Sequence, residues 1–277
     1  MKRAVFNQKG GVGKTSITCN LAAAFAKMGR KTLVVDLDSQ ANASQYLLGR
    51  ELAAVTQTVA DFFESTLGFK IFRETLKEAL YKTPHDGLWI VPASKALSEL
   101  QPKLEGRYKI FKLREAISSL VEELGFQEVL FDTPPALNFY SMSALMASDR
   151  VLVPFDCDAF SAEALLQVQE VVNEVASDHQ PDLRTEGVII NHFQAQAKLP
   201  LEAIAAVKAK GFTVLEPYLS TSIVMRESHA AHVPVVYFKS KHKLAEEFTQ
   251  LAAGLVGTPS GRAKSTVVAP RERPVEA

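Results

Sequence analysis

The chain has 277 residues, 47% of them hydrophobic and 22% charged, enough to bury a large core without disulfide or metal staples. Lys plus Arg and Asp plus Glu both number 31, so net charge alone speaks for no polyanion partner, and nucleic-acid affinity requires a local basic patch. The two cysteines, Cys19 and Cys157, lie outside any CxxC, which argues against a zinc site or a disulfide framework and fits a reducing cytoplasm.

The opening MKRAVFNQKGG has an apolar stretch only at 4–6, too short for a signal-peptide core, and no run reaches the length of a membrane span. Apolar runs at 3–7, 32–36, 88–91, 128–132, 151–155, 187–191 and 212–215 read as strands. Amphipathic stretches at 16–28, 110–124, 162–176, 201–210 and 244–255 read as helices between them. The segment 49–85 has a weaker pattern and reads as helical. Strands alternating with helices imply βαβ units, an α/β fold in three layers with a mostly parallel central sheet flanked by helices. From 257 to 277 the chain is rich in Pro, Ser, Thr and charge, and reads as a disordered tail. Ligands of such sheets bind at the carboxyl ends of the strands. That is where Lys9–Thr15, Asp36–Asp38, Asp132–Pro135 and Asn191 fall.

The first strand runs into Lys9-Gly10-Gly11-Val12-Gly13-Lys14-Thr15, and a helix follows. This is the context of a phosphate-binding loop. Glycines let backbone N–H groups approach phosphate oxygens, and the helix adds its N-terminal partial charge. Lys14 would reach the β- and γ-phosphates of ATP, and Thr15 would offer its hydroxyl to Mg²⁺. The pattern GxxxxGK[ST] is not met strictly, because Gln8 stands where the first glycine would fall and Lys9 is added at the head of the loop. Asp36, Asp38 and Asp132 sit at strand ends, in VVDLD and LFDTPP, as acids that hold magnesium and position an attacking water must.

NQKGGVGKTSITCNLAAAFAKMGRKTLVVDLDSQANAS, GLWIVPASKALSEL, VLFDTPPAL and VPVVYFKSKHKLAEEF together resemble the ParA/Soj/MinD family of deviant Walker ATPases, over nearly the whole chain. The resemblance implies a single P-loop ATPase domain over 1–256. It implies that Gly10, Gly11, Val12, Gly13, Lys14, Thr15 and Ser16 cradle the phosphates, with Thr15, Asp36 and Asp132 around the metal. Asp38 would orient the hydrolytic water, and Asp132–Pro135 would act as a switch. Asn191 matches the family's base-contacting Asn, with Pro217 near the adenine-side segment. Lys9 matches the signature lysine that reaches across an ATP-sandwich homodimer to the partner's phosphates.

Three branches of the family fit less well. The tail TPSGRAKSTVVAPRERPVEA has no large apolar face, unlike the membrane helix of the MinD branch, so no membrane is expected. No cysteine follows Asp132 as the iron–sulfur branch requires, and Cys157 reads as packing. A first strand at residue 3 leaves no expected helix-turn-helix domain. The small ParA/Soj-type branch remains. It implies a slow ATPase, stimulated by a ParB-like adaptor, that binds nucleoid DNA non-specifically as an ATP dimer and is cytoplasmic. Arg226, Lys239, Lys241 and Lys243, and at the margin Lys198, are the expected DNA contacts. The pattern departs from many relatives here: Pro217-Tyr218 and Ile223-Val224 stand where Pro-Arg and Val-Arg pairs occur. His192, His229 and His232 have no metal-ligand spacing. The rival readings are a MinD-like ATPase on a membrane surface, and a P-loop kinase or ligase acting on a small molecule. The cargo is not legible.

Overall fold

The computed structural model describes residues 1–68, 75–106, 109–157 and 161–257, so the expected tail lies outside it apart from Gly257. In chain order the elements are β1 (Lys2–Val5), α1 (Lys14–Lys27), β2 (Thr32–Asp36), α2 (Asn42–Leu48), α3 (Val59–Leu67), β3 (Tyr81–Lys82) and β4 (Leu88–Val91). Then come α4 (Ala96–Glu105), α5 (Lys112–Leu124), β5 (Glu128–Asp132), α6 (Phe139–Ala147), β6 (Arg150–Asp156), α7 (Ser161–Asp178) and β7 (Arg184–Asn191). The chain continues with α8 (Lys198–Ala209), β8 (Val214–Leu215), α9 (Ile223–Ala231), α10 (Val235–Phe238) and α11 (Lys243–Gly257). The strands form one sheet in the order β3-β4-β2-β5-β1-β6-β7-β8. Among the described residues only the β3–β4 pair is antiparallel.

Helices cover both faces, which is why the central strands read as continuous apolar runs. All five residues of β2, TLVVD, are buried. Leu33 and Val35 belong to the core on the sheet face covered by α3 to α8, whereas Val34 between them belongs to the core on the face covered by α1, α2, α10 and α11. Helix α1 is buried almost all round, Lys14, Ile17 to Ala26 included, so its alanines serve close packing rather than an amphipathic stripe.

The expected strands and long helices fall where the apolar runs and helical periodicity place them, with ends shifted by a few residues. The segment 49–85 is a correction. It holds a 3₁₀ turn, Gly49–Ala54, and helix α3, but it ends in the two-residue strand β3, paired with Trp89 and Ile90. Helices α2, α4, α6, α9 and α10 were not among the expected ones. Helix α6 shows why. Its cap is Asn138, which accepts from Tyr140 and Ser141 N–H while the Ser141 hydroxyl returns to Asn138 N–H, a capping box without the usual Glu or Gln. Almost every residue of α6 is buried, so no polar face marks its period.

At the amino ends of the strands a buried ion network closes the core. Arg3 is 1% exposed and donates to Glu128 at 2.5 Å, to Glu186 at 2.6 Å and to the Leu255 carbonyl of α11 at 3.0 Å. Arg30 reaches the other oxygen of Glu128 at 2.7 Å.

Candidate nucleotide site

The loop between β1 and α1 is held from below by Asn7. Its amide donates to the Pro154 carbonyl of β6 at 2.8 Å, and its oxygen accepts the Lys9 N–H at 2.9 Å. Gly11 and Gly13 adopt φ of +78° and +89°, which bends the backbone inward and starts α1 at Lys14. A Cβ on Gly13 would lie 2.3 Å from Asn191 Nδ2, so a side chain there is doubly excluded. Lys14 Nζ donates to the Lys9 carbonyl at 2.8 Å across the loop mouth. Burial lowers the Lys14 pKa, opposed by the charges of Asp132 and Asp38.

The carboxylates converge because β1, β2 and β5 are neighbours. Asp132 pairs in register with Val5 on one side and Asp36 on the other. Asp36 is fully buried and accepts from Asp38 N–H at 3.1 Å, Ser44 N–H at 2.9 Å and the Ser44 hydroxyl at 2.7 Å. Burial nevertheless pushes its pKa up to about 6. Asp132 is also fully buried, and its pKa is pushed well up by burial and then by the charge of Asp36, with the Thr15 hydroxyl and Lys14 opposing. One Asp132 oxygen accepts from Thr18 Oγ1 at 3.4 Å, while Oδ2 meets no hydrogen-bond donor. A buried carboxylate oxygen without a donor, beside a second acid and a threonine hydroxyl, is a hard-oxygen donor set short of a cation. Among the described residues no three His, Cys, Asp or Glu side chains form a metal cage. That fits magnesium, which keeps waters and takes phosphate oxygens beside one or two protein ligands.

Above the loop lies a cavity of about 780 Å³. It is lined by Gly10, Gly11 and Gly13 to Ser16 of the loop but not by the buried Val12, by Asp38 to Gln40, by Thr133 to Pro135, and by Asn42, Gln45, Tyr46, His229 and His232. Asp38 is half-buried at its rim, with one oxygen accepting Gln40 N–H at 3.0 Å. Thr133 anchors the segment after β5 by donating to the Val5 carbonyl at 2.7 Å. Lys9 is half-buried at the head of the loop. The structure thus brings together Lys9, the glycine loop, Lys14, Thr15, Ser16, Asp36, Asp38 and Asp132.

Other expected site residues fall elsewhere. Asn191 donates to the Val12 carbonyl at 3.0 Å and bounds a smaller cavity of about 110 Å³ with Ser16, His192, Ser220 to Ser222 and Arg226. Pro217 lies outside the linings of both cavities. Of the basic residues, Lys239 is paired with Glu227 at 2.5 Å, Lys243 with Glu247 at 3.6 Å and Lys198 with Glu202 at 3.2 Å. Arg226 is exposed on α9 and Lys241 is exposed before α11. Sequence reasoning did not place Gln45, Tyr46, His229 and His232 at the cavity. The last two arrive from α9, more than two hundred positions after the loop, and no spacing rule joins them to it.

A family model described as an AAA domain matches residues 2–185. The chromosome partitioning protein ParA of Myxococcus xanthus is 31% identical over 257 residues, 91% of this chain and 86% of its own. The sporulation initiation inhibitor protein Soj of Bacillus subtilis is 30% identical, over 90% of this chain and 95% of its own. Among solved structures, cobyrinic acid a,c-diamide synthase from Mycobacterium smegmatis with bound ADP and magnesium superposes with a TM-score of 0.77 at 25% identity, over 92% of this chain and 94% of that one. The glycine loop on β1, the acids in register on β2 and β5, and these similarities along almost the full length lead to one assignment: the chain belongs to the ParA/MinD family of P-loop ATPases.

Proposed function

We propose that this chain is an ATP-driven positioning switch of the partition type. The observation that carries the reading is the pair of buried acids Asp36 and Asp132 beside Lys14 and Thr15, with Asp132 Oδ2 lacking a donor. Lys14 meets the terminal phosphates of ATP in this reading. Backbone N–H groups of Gly11 to Ser16 hold the remaining phosphate oxygens. Thr15 and Asp132 take the magnesium, with Asp36 behind them. Magnesium, when bound, neutralises charge on the β- and γ-phosphates. Asp38, at the rim of the cavity, orients the water that attacks the γ-phosphorus, giving ADP and inorganic phosphate.

In this reading the cavity stays open on one side until a second copy covers it. Lys9 then contacts the partner's nucleotide, and the two-fold dimer presents two α9 helices side by side. The dimer binds DNA without sequence preference through Arg226 and Lys241, with Lys239 and Lys243 contributing less because each already faces a carboxylate. A ParB-like adaptor speeds hydrolysis and releases the DNA, and Asn191 and Pro217 serve the adenine side. The protein works in the cytoplasm on the nucleoid. Among the described residues no helix is long and apolar enough to cross a membrane.

Chromatography with a slowly hydrolysed ATP analogue tests the sandwich. Wild type is expected to elute as a dimer with the analogue and as a monomer with ADP, while Lys9→Ala stays monomeric in both. A Lys9→Ala protein that dimerises like wild type removes the cross-subunit role. ATP turnover that rises with DNA, in the absence of any small-molecule acceptor, separates this reading from a kinase or ligase.

A further inference from the structure

Helix α9 enters the phosphate cavity with two histidines that the chemistry above does not use. His229 Nε2 lies 3.0 Å from Ser16 Oγ, one residue beyond Thr15. Its ring is stacked on Tyr46, with centroids 4.0 Å apart and planes 8° from parallel. Tyr46 is 2% exposed, and its hydroxyl is fixed by Ser228 Oγ at 2.8 Å and Asn20 Nδ2 at 3.2 Å. Asn20 also donates to the Ser16 carbonyl at 2.8 Å and accepts the Val235 N–H at 2.7 Å. The imidazole is therefore oriented from three helices. His232 ends α9 at φ +54°, a conformation that favours glycine, and its Nδ1 sits 2.9 Å from the Gln45 carbonyl. A carbonyl only accepts, so His232 Nδ1 carries the hydrogen of that bond.

The Ser16 hydroxyl has one hydrogen to give. In one arrangement it goes to His229 Nε2, and Ser16 has nothing to donate to a phosphate. In the other, Nε2 carries the hydrogen and donates to Ser16 Oγ, which turns its own hydrogen toward a phosphate oxygen. An anionic acceptor makes the stronger bond, so a bound phosphate selects the second arrangement. The exchange needs no net proton change: Nδ1 of the neutral ring gives its proton to water and Nε2 takes one. The ring belongs to α9, whose outer residues Ile223 and Arg226 are exposed.

We propose that His229 is a positioning residue that links phosphate occupancy at Ser16 to helix α9 through the Ser16–His229 hydrogen bond. The inference rests on the nucleotide-site reading above. It gives α9, which carries Arg226, a direct connection to the phosphate site within one subunit.

The test uses the full chain with a slowly hydrolysed ATP analogue and magnesium, read by calorimetric titration and by hydrogen exchange of the amides at 223–231. Wild type is expected to bind the analogue and to slow exchange in α9. His229→Phe keeps a ring on Tyr46 but loses the bond. It is expected to weaken analogue binding about 3- to 10-fold and to abolish the slowing in α9. His229→Gln, which keeps a nitrogen donor near Nε2, is expected to recover most of both. Ser16→Ala added to His229→Phe also removes the hydroxyl's own bond to phosphate, so binding is expected to fall further while the α9 response changes no more. A His229→Phe protein whose α9 still responds like wild type overturns the inference, as does a Gln variant no better than Phe. Wild type that binds the analogue with α9 unchanged also overturns it and leaves the ATPase reading standing. Wild type that binds no analogue brings down both.

Discussion

The two ends of the sheet both bury charge, and they treat it in opposite ways. At the amino end Arg3 meets Glu128, Glu186 and a backbone carbonyl, and Arg30 meets the free side of Glu128. Each buried charge there is matched within the chain. At the carboxyl end Asp36 and Asp132 are both fully buried, with Asp38 beside them and Lys14 as the near cation, and an Asp132 oxygen has no donor. The first arrangement is complete as it stands and serves to fix β1, β5, β7 and α11 together. The second holds more negative charge than the protein offsets, which is the condition for taking up a cation with its polyphosphate. Buried charge alone therefore does not mark function; unbalanced buried charge does.

Arg3→Ala breaks the balanced end and carries the largest expected effect. It strands Glu186 and leaves Glu128 with Arg30 alone, so unfolding stability is expected to fall by about 3–5 kcal/mol in chemical denaturation. The affinity of the folded fraction for ATP should stay within about twofold of wild type. A loss under about 1 kcal/mol would mean that the amino-end network is not the staple described here.

Asp132→Asn relieves the unbalanced end, with a smaller effect of opposite sign. The ligand-free variant is expected to melt roughly 2–4 °C higher for each kcal/mol gained, while losing most magnesium-dependent ATP binding. The pH dependence has a definite sign. Asp36 is raised from 3.8 to about 6 and Asp132 moves the same way, so folding takes up protons at both groups. The Asp36 contribution to ligand-free stability is complete below pH 3.8 and is lost as pH rises through about 6, and the Asp132 contribution is likewise lost as pH rises. Magnesium with a nucleotide should flatten that slope, and Asp132→Asn should shrink it. A variant that melts lower than wild type at pH 7 without ligand would contradict the imbalance.

Lys239→Ala has the smallest expected effect, because its partner Glu227 is exposed as well. Stability should change by less than about 0.5 kcal/mol. DNA affinity should fall modestly, with the salt slope reduced by about one, whereas Arg226→Ala should cost more. Equal losses for the two would show that the Glu227 pair does not discount Lys239.

Much of this contrast was legible in the sequence and some of it was not. Thr32–Asp36 and Glu128–Asp132 stand out as strands because helices on both faces demand unbroken apolar runs. The loop from Lys9 to Thr15 declares itself by its glycines and its place between a strand and a helix. The role of His229 stayed hidden because its partner Ser16 lies 213 positions away and the contact exists only once α9 folds over α1 and α2. The docking of Asn191 on Gly13 was equally out of reach, since it depends on how closely β7 approaches the loop. Helix α6 escaped because burial on all sides erases the period that would reveal it.

DNA retention with the slowly hydrolysed ATP analogue, compared with ADP at the same salt, tests the switch most directly. The account predicts retention with the analogue, its loss with ADP, and its loss with both nucleotides in Lys9→Ala. Equal retention of wild type with ADP and with the analogue would contradict it.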